Sequence, residues 1–317
     1  MITTVTPNPA IDLTLEVPLL VRGEVHRTTG RHQEPSGKGV NVSRALTSNG
    51  VATTAVLPLG GADGAELQRL LDQECVRYRT VTVDGPVRVN ISVTEPDGTA
   101  TKLNGPGPEL TPQELGLLLS VVAEAAVGAT WVLGSGSLPG AVGDDLYARV
   151  GEIAHGCGAR FALDSSGAPF LSGLAAGPDV VKPNADELAE ATGKAISTFG
   201  DAVDAAGELR ARGARTVVVS LGVDGALLVD ERGVLHAEAR TDSPRSTVGA
   251  GDALVAGYLA ATPSTSSDRA GSLREAVAWA TASLRLAGSR VPPVTDADRG
   301  LVRMTDEVDL DLGRLLR

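Results

Sequence analysis

A single carboxylate, Asp252, stands between a short glycine-rich run and a long apolar run. Gly249, Ala250 and Gly251 precede it, and residues 253–260 are almost entirely apolar. A glycine loop that opens a helix presents unpaired backbone N–H groups, and the helix dipole adds to their attraction for an anion. Because burying a charge is costly unless the charge is paired or used, we interpret Asp252 as a general base beside an anion site. The alternative is an acid that only stabilises the first turn of a helix.

A second glycine-rich segment, PSGKGVNVSRAL at residues 35–46, carries a lysine and an asparagine at the predicted start of a helix. It is not a Walker A loop, because the residue after Lys38 is glycine where that loop has serine or threonine. The segment GSGSLPG at 134–140 is not a dinucleotide fingerprint, because Pro139 takes the place of the third glycine. Residues 35–46 therefore predict a flexible turn into a helix, and Asn41 either caps that helix or reaches a sugar hydroxyl.

The segment KPNADEL at residues 182–188 places an amide and a carboxylate three positions apart. Asn184 and Glu187 would share one face of a first helical turn. They fit a capping box that only stabilises the helix. They also fit a pair that holds hydrated Mg²⁺ beside a triphosphate, and the spacing alone does not decide between the two.

The composition of the 317 residues is that of an acidic globular protein. With 28 basic and 39 acidic residues the net charge is −11, and only 3% of residues are aromatic, so we expect no nucleic-acid partner. A small anionic substrate remains possible, because local groups can override the net charge. Cys75 and Cys157 do not make a disulfide scaffold in a chain of this length. The first residues show no secretory signal, and the uncharged span 125–143 is broken by glycines and a proline, so we expect a cytoplasmic protein without a membrane span.

Short apolar strands alternate with helical patterns along most of the chain, which predicts a mostly parallel sheet with helices on both faces. Four central strands are predicted at 130–137, 160–166, 179–184 and 216–222. Each of them ends in Gly, Ser, Asp, Asn or Lys. Ligands of open parallel sheets bind beyond the carboxyl ends of the strands, so we expect the site at this edge.

Two segments, about 11–32 and 86–104, show an alternation of period two instead. We interpret them together as a small antiparallel β lid over the site. Neither segment is long enough for a core of its own, so we expect a single domain over residues 1–317. Surface loops are predicted at 261–273 and 290–300.

Three segments together resemble the signature segments of the ribokinase-like superfamily of carbohydrate and nucleoside kinases. They are PSGKGVNVSRAL, KPNADE and STVGAGDALVAGYLA, the last at 246–260. The resemblance runs from Thr6 to about Leu286, and TPNPAID, VRVNISVTEPDG and VVVSLGVDGAL are most similar to the bacterial hexose-phosphate kinases of that superfamily. Residues 22–42 are most similar to its 1-phosphofructokinase members. One departure is Ser36, where relatives often have glycine or alanine.

The resemblance implies an α/β fold, the ribokinase-like three-layer α/β/α fold, and a role for each matching residue. Asp252 would be the catalytic base beside an anion hole made by the amides of Gly249, Ala250 and Gly251. The sugar would contact Asp12, Gly37, Lys38, Asn41 and Ser137, and its phosphate would meet Arg88 and Arg27. ATP and water-bridged Mg²⁺ would be held by Lys182, Asn184 and Glu187, and the nucleotide would lie along Ser220, Leu221, Gly222, Val223, Asp224 and Gly225 and against Gly251 and Asp252.

The implied reaction is the ATP-dependent phosphorylation of a phosphorylated ketohexose, with fructose 1-phosphate converted to fructose 1,6-bisphosphate as the first expectation. Tagatose 6-phosphate and fructose 6-phosphate remain alternative substrates, because the sequence does not fix which carbon bears the phosphate. A sugar-phosphate or nucleotide-binding regulator without catalysis is the alternative of another class, and Asp252 speaks against it because a binder needs no base. Relatives often pair through their lids, so the resemblance also implies a homodimer, without a membrane partner.

Overall fold

The first strand of the chain lies in the interior of a large ten-stranded sheet, two strands from one edge, and helices cover both faces of the sheet. The computed structural model describes residues 1–241, 244–263, 268–306 and 311–316. The strands in these ranges are β1 (Ile2–Val5), β2 (Ala10–Glu16), β3 (Gly30–Ser36), β4 (Thr53–Leu59), β5 (Tyr78–Thr82), β6 (Arg88–Thr94), β7 (Ala100–Leu103), β8 (Trp131–Ser135), β9 (Arg160–Asp164), β10 (Val180–Val181), β11 (Thr216–Ser220), β12 (Ala226–Asp230), β13 (Gly233–Glu238) and β14 (Arg303–Asp306). The α-helices are α1 (Lys38–Ser48), α2 (Gly61–Gln73), α3 (Pro112–Ala126), α4 (Leu146–Gly156), α5 (Gly167–Gly173), α6 (Ala185–Thr192), α7 (Phe199–Ala211), α8 (Ala250–Ala261), α9 (Arg269–Ser283) and α10 (Asp296–Gly300).

The large sheet has the strand order β14-β13-β12-β11-β10-β9-β8-β1-β4-β5. The seven strands from β11 to β5 in this order pair in parallel. The last three strands of the chain add antiparallel pairs at the other edge. The mostly parallel sheet predicted from the sequence is therefore confirmed.

The large sheet is covered on both faces, which explains the unbroken apolar character of its central strands. All five residues of β8 are buried. On one face, Val132 and Phe161 share a hydrophobic cluster with residues of α3, α4 and α7. On the other face, Trp131 and Leu133 share a cluster with residues of α1, α8 and α9. These two clusters make the three layers of the fold.

A second, four-stranded sheet has the order β3-β2-β6-β7 and stands apart from the large one. Its outer pairs, β2–β3 and β6–β7, are antiparallel, and β2 and β6 run parallel at its centre. The predicted lid segments supply all four strands, although β3 continues to Ser36, beyond the predicted limit at residue 32. The pairing of β2 with β6 sets Ala10 beside Arg88 and Asp12 beside Asn90.

The described parts of the two predicted surface loops near the end of the chain are partly helical, so those predictions were wrong at two places; residues 264–267 of the first loop lie outside the described residues. Residues 269–273 form the start of α9, because the side chain of Asp268 accepts a hydrogen bond from the Gly271 amide and caps the helix. Residues 296–300 form α10, which opens with a capping box between Thr295 and Asp298. Both helices begin in polar segments, so the pattern of apolar residues in the sequence did not reveal them. None of the helices within the described ranges has the length and apolar character needed to cross a bilayer.

Candidate active site

Asp252 lies in the first turn of α8, at the edge where the parallel strands of the large sheet end. Gly249 caps this helix with φ of +77°, in the left-handed region that favours glycine. The side chain of Asp252 is buried, and its Oδ2 accepts a 2.8 Å hydrogen bond from Nδ2 of Asn41. Asn41 belongs to α1, so the carboxylate lies between two helix N-termini.

Burial raises the pKa of Asp252 to about 6, and the nearby negative charge of Asp164 adds to the rise. The positive charges of Lys38 and Lys182 and the hydrogen bond from Asn41 act in the opposite direction. A carboxyl group with a pKa near 6 is ionised at neutral pH and is a stronger base than an ordinary aspartate. This environment suits proton removal from a hydroxyl.

The backbone at the start of α8 offers donors to an anion. The Ala250 amide donates a 3.3 Å hydrogen bond to the Thr247 carbonyl oxygen. The amides of Gly251 and Asp252, as second and third residues of the helix, have no carbonyl acceptor among the described residues. A methyl group in place of a Gly251 hydrogen would lie 3.5 Å from Nζ of Lys182, so a cation stands beside these amides. Unpaired amides beside an ammonium group favour an anion, so this arrangement agrees with the anion site predicted next to Asp252.

Two lysines meet at one buried carboxylate, Asp164, at the end of β9. Nζ of Lys38 lies 2.9 Å and Nζ of Lys182 lies 3.4 Å from Oδ1 of Asp164. Burial opposes ionisation of this carboxyl group, but the charges of Lys182 and Lys38 outweigh it, so the pKa of Asp164 is lowered. Its other oxygen, Oδ2, is buried and accepts no hydrogen bond from the described residues. Lys38 also lies 3.2 Å from Oε1 of Glu187, which brings α6 into the same cluster.

Asn184 and Glu187 form the capping box that the sequence left as one of two interpretations. Oδ1 of Asn184 accepts from the Glu187 amide at 2.7 Å, and Oε2 of Glu187 accepts from the Asn184 amide at 2.9 Å. The box leaves Oε1 of Glu187 directed at Lys38, inside the charged cluster. Helix capping and a role toward a metal therefore use different oxygens of the same carboxylate, and the two interpretations do not exclude each other.

The lid side of the site is organised around Asp12 on β2. Oδ2 of Asp12 accepts from the Ser36 hydroxyl at 2.8 Å, and Oδ1 accepts from Nδ2 of Asn90 at 2.9 Å. Gly37, between β3 and α1, has φ of +115°, and a Cβ there would come within 2.8 Å of Cγ2 of Thr6. A larger residue at Gly37 would therefore push α1 away from the sheet.

Arg88, at the start of β6, is half-buried and holds two connecting segments through their carbonyl groups. Nη2 donates to the Asn8 oxygen at 3.0 Å and Nη1 donates to the Gly105 oxygen at 3.3 Å. Its Nε is buried without an acceptor among the described residues. Ser137 lies close by, because Nδ2 of Asn8 donates to its hydroxyl at 3.4 Å. Arg27 is not brought into this group: its side chain is exposed in the connection between β2 and β3.

A cavity of about 570 Å³ opens on the other side of Asp252, at the ends of β10 and β11. Its walls include four of the six predicted nucleotide residues, together with Asn184, Ala250 and Gly251. The four are Ser220, Gly222, Val223 and Gly225. Leu254, Val277 and Leu284 supply apolar surface of the kind that accepts a flat heterocycle.

The side chains of the other two predicted nucleotide residues point away from this cavity. Leu221 is buried in the hydrophobic cluster on the α7 side of the sheet. Asp224 is fully buried, and its Oδ1 lies 2.9 Å from Nη2 of Arg314. Asp224 thus joins the turn at residues 222–225 to the C-terminal segment. Nothing in the local sequence predicts this contact.

The amino-acid sequence also matches a known family over most of its length. The family model of the pfkB family carbohydrate kinases matches residues 6–296 of the chain. The chain belongs to this family. The resemblance drawn from its sequence segments is therefore confirmed.

Several proteins that are similar to this kinase over most of its length support the family assignment. It is 41% identical to 1-phosphofructokinase of Haloferax volcanii over 300 residues, which are 93% of this chain and 95% of that protein. It is 35% identical to 1-phosphofructokinase of Bacillus subtilis over 260 residues, 82% and 85% of the two chains. The crystal structure of phosphofructokinase-2 from Escherichia coli in complex with substrates and products superposes with a TM-score of 0.85 at 33% identity, covering 95% and 97% of the chains. Ribokinase of Arabidopsis thaliana with ribose and ATP shares the fold, with a TM-score of 0.74 at 22% identity over 92% and 95%.

Several residues of the kinase site were not singled out from the sequence. The sequence contained a signal for two of them. Asp164 is a carboxylate at the end of a buried strand, and Asn90 shares a strand face with Arg88. Arg44 and Ser289, which contact Asn41, had none.

Proposed function

We propose that this kinase transfers the γ-phosphoryl group of ATP to O6 of fructose 1-phosphate, giving fructose 1,6-bisphosphate and ADP. The observation that carries the proposal is the position of Asp252, buried between Asn41 on the lid side and a cavity lined by Gly251 on the other. A hydroxyl under the lid and a phosphate at the start of α8 would meet at this carboxylate. The substrate named for the curated relatives at 35–41% identity supports the choice of sugar.

The chain's own groups divide the reaction between them. Asp252 takes the proton from the O6 hydroxyl as O6 bonds to the γ-phosphorus, and the bond from that phosphorus to the β–γ bridging oxygen breaks with its electron pair going to ADP. The amides at the start of α8 and the ammonium of Lys182 stabilise the charge on the transferred group. Because the transition state of phosphoryl transfer is loose, orientation of the reacting oxygen is the main requirement, and Asp252 and Asn41 supply it.

The charged cluster below the anion site fits Mg²⁺, which prefers oxygen ligands and keeps several waters. Oδ2 of Asp164 is buried without a hydrogen-bond partner among the described residues, and Oε1 of Glu187 faces the same cluster. Asn184 and Glu187 would bind the ion through water, and Oδ2 of Asp164, whose other oxygen is paired with Lys38 and Lys182, would accept from a water of the ion's shell. The ion would neutralise charge on the β- and γ-phosphates.

Arg88 and Lys38 are our candidates for the sugar phosphate, because both stand on the lid side with unused N–H groups. Arg88 keeps its Nε–H and two Nη hydrogens beyond those given to Asn8 and Gly105. Fructose 6-phosphate is the second candidate substrate, favoured by the structural likeness to phosphofructokinase-2. Arg27 would take part only if the exposed connection between β2 and β3 closed over the sugar.

We include a homodimer through the lid and a cytoplasmic location in this proposal. Three large apolar side chains of the lid, Leu19, Val25 and Leu103, are more than half exposed. A second lid placed against them would remove this apolar surface from water. Light scattering of wild type and a Val25→Asp variant at equal concentration tests the dimer, which the charge should weaken.

The substrate is tested by steady-state kinetics with fructose 1-phosphate, fructose 6-phosphate, tagatose 6-phosphate and free fructose at saturating ATP and Mg²⁺. We expect kcat/KM for fructose 1-phosphate to exceed each of the others by at least about tenfold, a difference of about 1.4 kcal/mol in transition-state binding. Product identity is read by ³¹P NMR as two phosphomonoester signals from one sugar. A preference for another sugar phosphate would move the assignment to that substrate, and absence of turnover with all of them would revive the regulator without catalysis.

A further inference from the structure

A chain of buried polar groups continues behind Asp252 on the side away from the nucleotide cavity. Asn41, whose Nδ2 donates to Asp252, turns its Oδ1 toward Ser289 and Arg44. The Ser289 hydroxyl lies 3.2 Å from this oxygen, and Nη1 of Arg44 lies 3.5 Å from it. The amide of Asn41 is therefore bounded on one side by the base and on the other by these two side chains.

Arg44 is almost completely buried and uses its whole guanidinium group. Nε and Nη2 donate to the two oxygens of Glu74 at 2.6 and 2.8 Å, and Nη1 donates to the Pro35 oxygen at 2.9 Å and to the Ser289 hydroxyl at 2.8 Å. Nη2 also lies 3.4 Å from Glu34. Burial alone would lower the pKa of Arg44, but the two glutamates raise it above the ordinary value, so the group stays charged. Its position is fixed by three separate stretches of chain, at residues 34–35, 74 and 289.

Ser289 lies between the hydrogen-bond network around Arg44 and the N-terminus of α8. Its amide donates to Oε1 of Glu34 at 3.0 Å, and its hydroxyl lies 3.1 Å from the same oxygen. A Cβ added to Gly249, the cap of α8, would come within 2.8 Å of the Ser289 Cβ. Ser289 thus touches both the helix that carries the base and the asparagine that orients it.

The two ends of an asparagine amide differ only in whether they donate or accept, so its neighbours decide which way it faces. Nη1 of Arg44 gives its two hydrogens to Pro35 and Ser289, so it acts on Asn41 at 3.5 Å mainly through its positive charge, which favours the carbonyl end of the amide on its side. That leaves the NH₂ end for Asp252. With Asn41 reversed, a carbonyl oxygen would face the ionised carboxylate and an NH₂ group would face the guanidinium, and both contacts would be repulsive.

We propose that Arg44 and Ser289 are positioning residues, which hold the Asn41 amide with Nδ2 toward Asp252 and so keep the base aimed at the acceptor hydroxyl. The inference rests on the proposed phosphoryl transfer for its kinetic consequence. It does not rest on it for the orientation of Asn41, which can be observed without turnover.

The orientation of Asn41 has a consequence for the pH dependence of the rate. Asp252 is faced by Asp164 from β9, by Lys38 and Asn41 from α1, and by Lys182 from the end of β10. The hydrogen bond from Asn41 lowers the pKa of Asp252. A loosened amide would withdraw that bond, so the pKa of Asp252 would rise and the acid limb of the rate would move to higher pH.

The test compares Ser289→Ala with Ser283→Ala and adds Arg44→Lys, which keeps the charge and loses the planar fork. Ser283 is the matched control, because it is equally buried and its hydroxyl donates only within α9, to the Ala280 oxygen at 2.7 Å. We expect Ser289→Ala to lower kcat about tenfold through misplacement of the base, with the KM for ATP unchanged within about twofold. Its acid limb should lie at higher pH than that of wild type. Ser283→Ala should keep wild-type kcat and the wild-type limb.

A second readout does not require activity. The side-chain amide signals of Asn41 in ¹⁵N-labelled protein, assigned by their loss in Asn41→Asp, should titrate with Asp252 in the wild type and should shift or exchange faster with solvent in Ser289→Ala and Arg44→Lys. The inference is overturned if Ser289→Ala keeps both the wild-type rate profile and the wild-type Asn41 signals. Absence of turnover in the wild type would defeat the proposed function, and the Asn41 signals would still decide the orientation.

Discussion

The ammonium group of Lys38 lies 2.9 Å from the buried carboxylate of Asp164, so the helix on the lid side of the site is tied to the end of a central strand. Burial alone would lower the pKa of Lys38, but Asp164, Glu187 and Asp252 raise it above the ordinary value. The lysine is therefore charged at every pH at which the enzyme works. Its charge in turn lowers the pKa of Asp252.

Lys38→Met should move the acid limb of the kcat profile to higher pH. Removal of the positive charge leaves Asp252 facing Asp164 without one of its two compensating cations, so the pKa of Asp252 should rise above its present value of about 6. The measurement is kcat between pH 5 and 9 with saturating substrates. Lys38→Arg retains the charge and should keep the limb near that of wild type, whereas Lys194→Met, on the surface, serves as the control. An unmoved limb in Lys38→Met would show that Lys38 does not act on the base.

Asp252→Asn should abolish turnover and leave ATP binding within a few-fold of wild type. Loss of a positioned general base costs roughly 10²–10⁴ in rate, while the amides at the start of α8 remain in place. Single-turnover rates and ATP titration calorimetry measure the two effects. A variant with near-normal kcat would remove Asp252 from the role of base.

The same variant carries a stability signature whose sign follows from the raised pKa. The folded protein holds the Asp252 proton up to about pH 6, whereas an unfolded aspartate releases it near its ordinary value of 3.8. Wild type therefore loses stability as the pH rises from about 4 to about 6, by a few kcal/mol from this group. Asp252→Asn lacks this loss, so its advantage in the free energy of unfolding should be larger at pH 7.5 than at pH 4.5 in urea titrations.

Glu187→Gln should raise the Mg²⁺ concentration needed for half-maximal rate and leave thermal stability nearly unchanged. A glutamine oxygen can still accept from the Asn184 amide, so the capping box survives while the charge is lost. Glu114→Gln is the matched control, because Glu114 closes an equivalent box on α3. A loss of stability in Glu187→Gln with an unchanged Mg²⁺ requirement would leave capping as its whole role.

Arg88→Ala should raise the KM for the sugar phosphate by roughly ten- to a hundredfold, because a charge-assisted bond to a phosphate is worth roughly 1.5–3 kcal/mol. The KM for ATP should barely move, and the preference for phosphorylated over free fructose should fall. Arg88 also holds the Asn8 and Gly105 carbonyl groups, so thermal stability is measured alongside. If stability falls while the preference for phosphorylated sugar stays, Arg88 is a structural anchor and the phosphate is held elsewhere.

The fold and much of the site could be predicted because parallel strands end at one edge. Lys182 and Asn184 follow β10 and Ser220 ends β11, and the parallel sheet sets Asn184 beside Ser220 although no signal in the sequence links the two. The alternation of period two in residues 86–104 likewise gave the face that Arg88 and Asn90 share. Strand positions and strand faces follow the two-residue period of a β-strand, so they can be predicted from the local sequence.

The rest depends on contacts between distant segments that have no local pattern. Ser289 donates to Glu34, which is 255 residues away, and its own segment shows neither helix nor strand periodicity. Asp224 stands in a turn that matches a nucleotide loop, but its side chain is drawn inward by Arg314 near the end of the chain. For Ser289 and for Asp224, the position of the side chain is set by a residue far away in the sequence, which the residue type alone does not reveal.

Because β2 pairs with β6, the sugar-binding side of the site is complete only after β6 has been synthesised. Asp12 and Asn90, which bond across this pair, are 78 residues apart. During synthesis β2 and β3 emerge as a hairpin whose inner edge has no partner until β5 has passed, and an open edge is a template for other chains. Pairings between strands so far apart form slowly. A nascent chain halted before β6 therefore exposes the unpaired edge of β2 and lacks the Asn90 side of the sugar site.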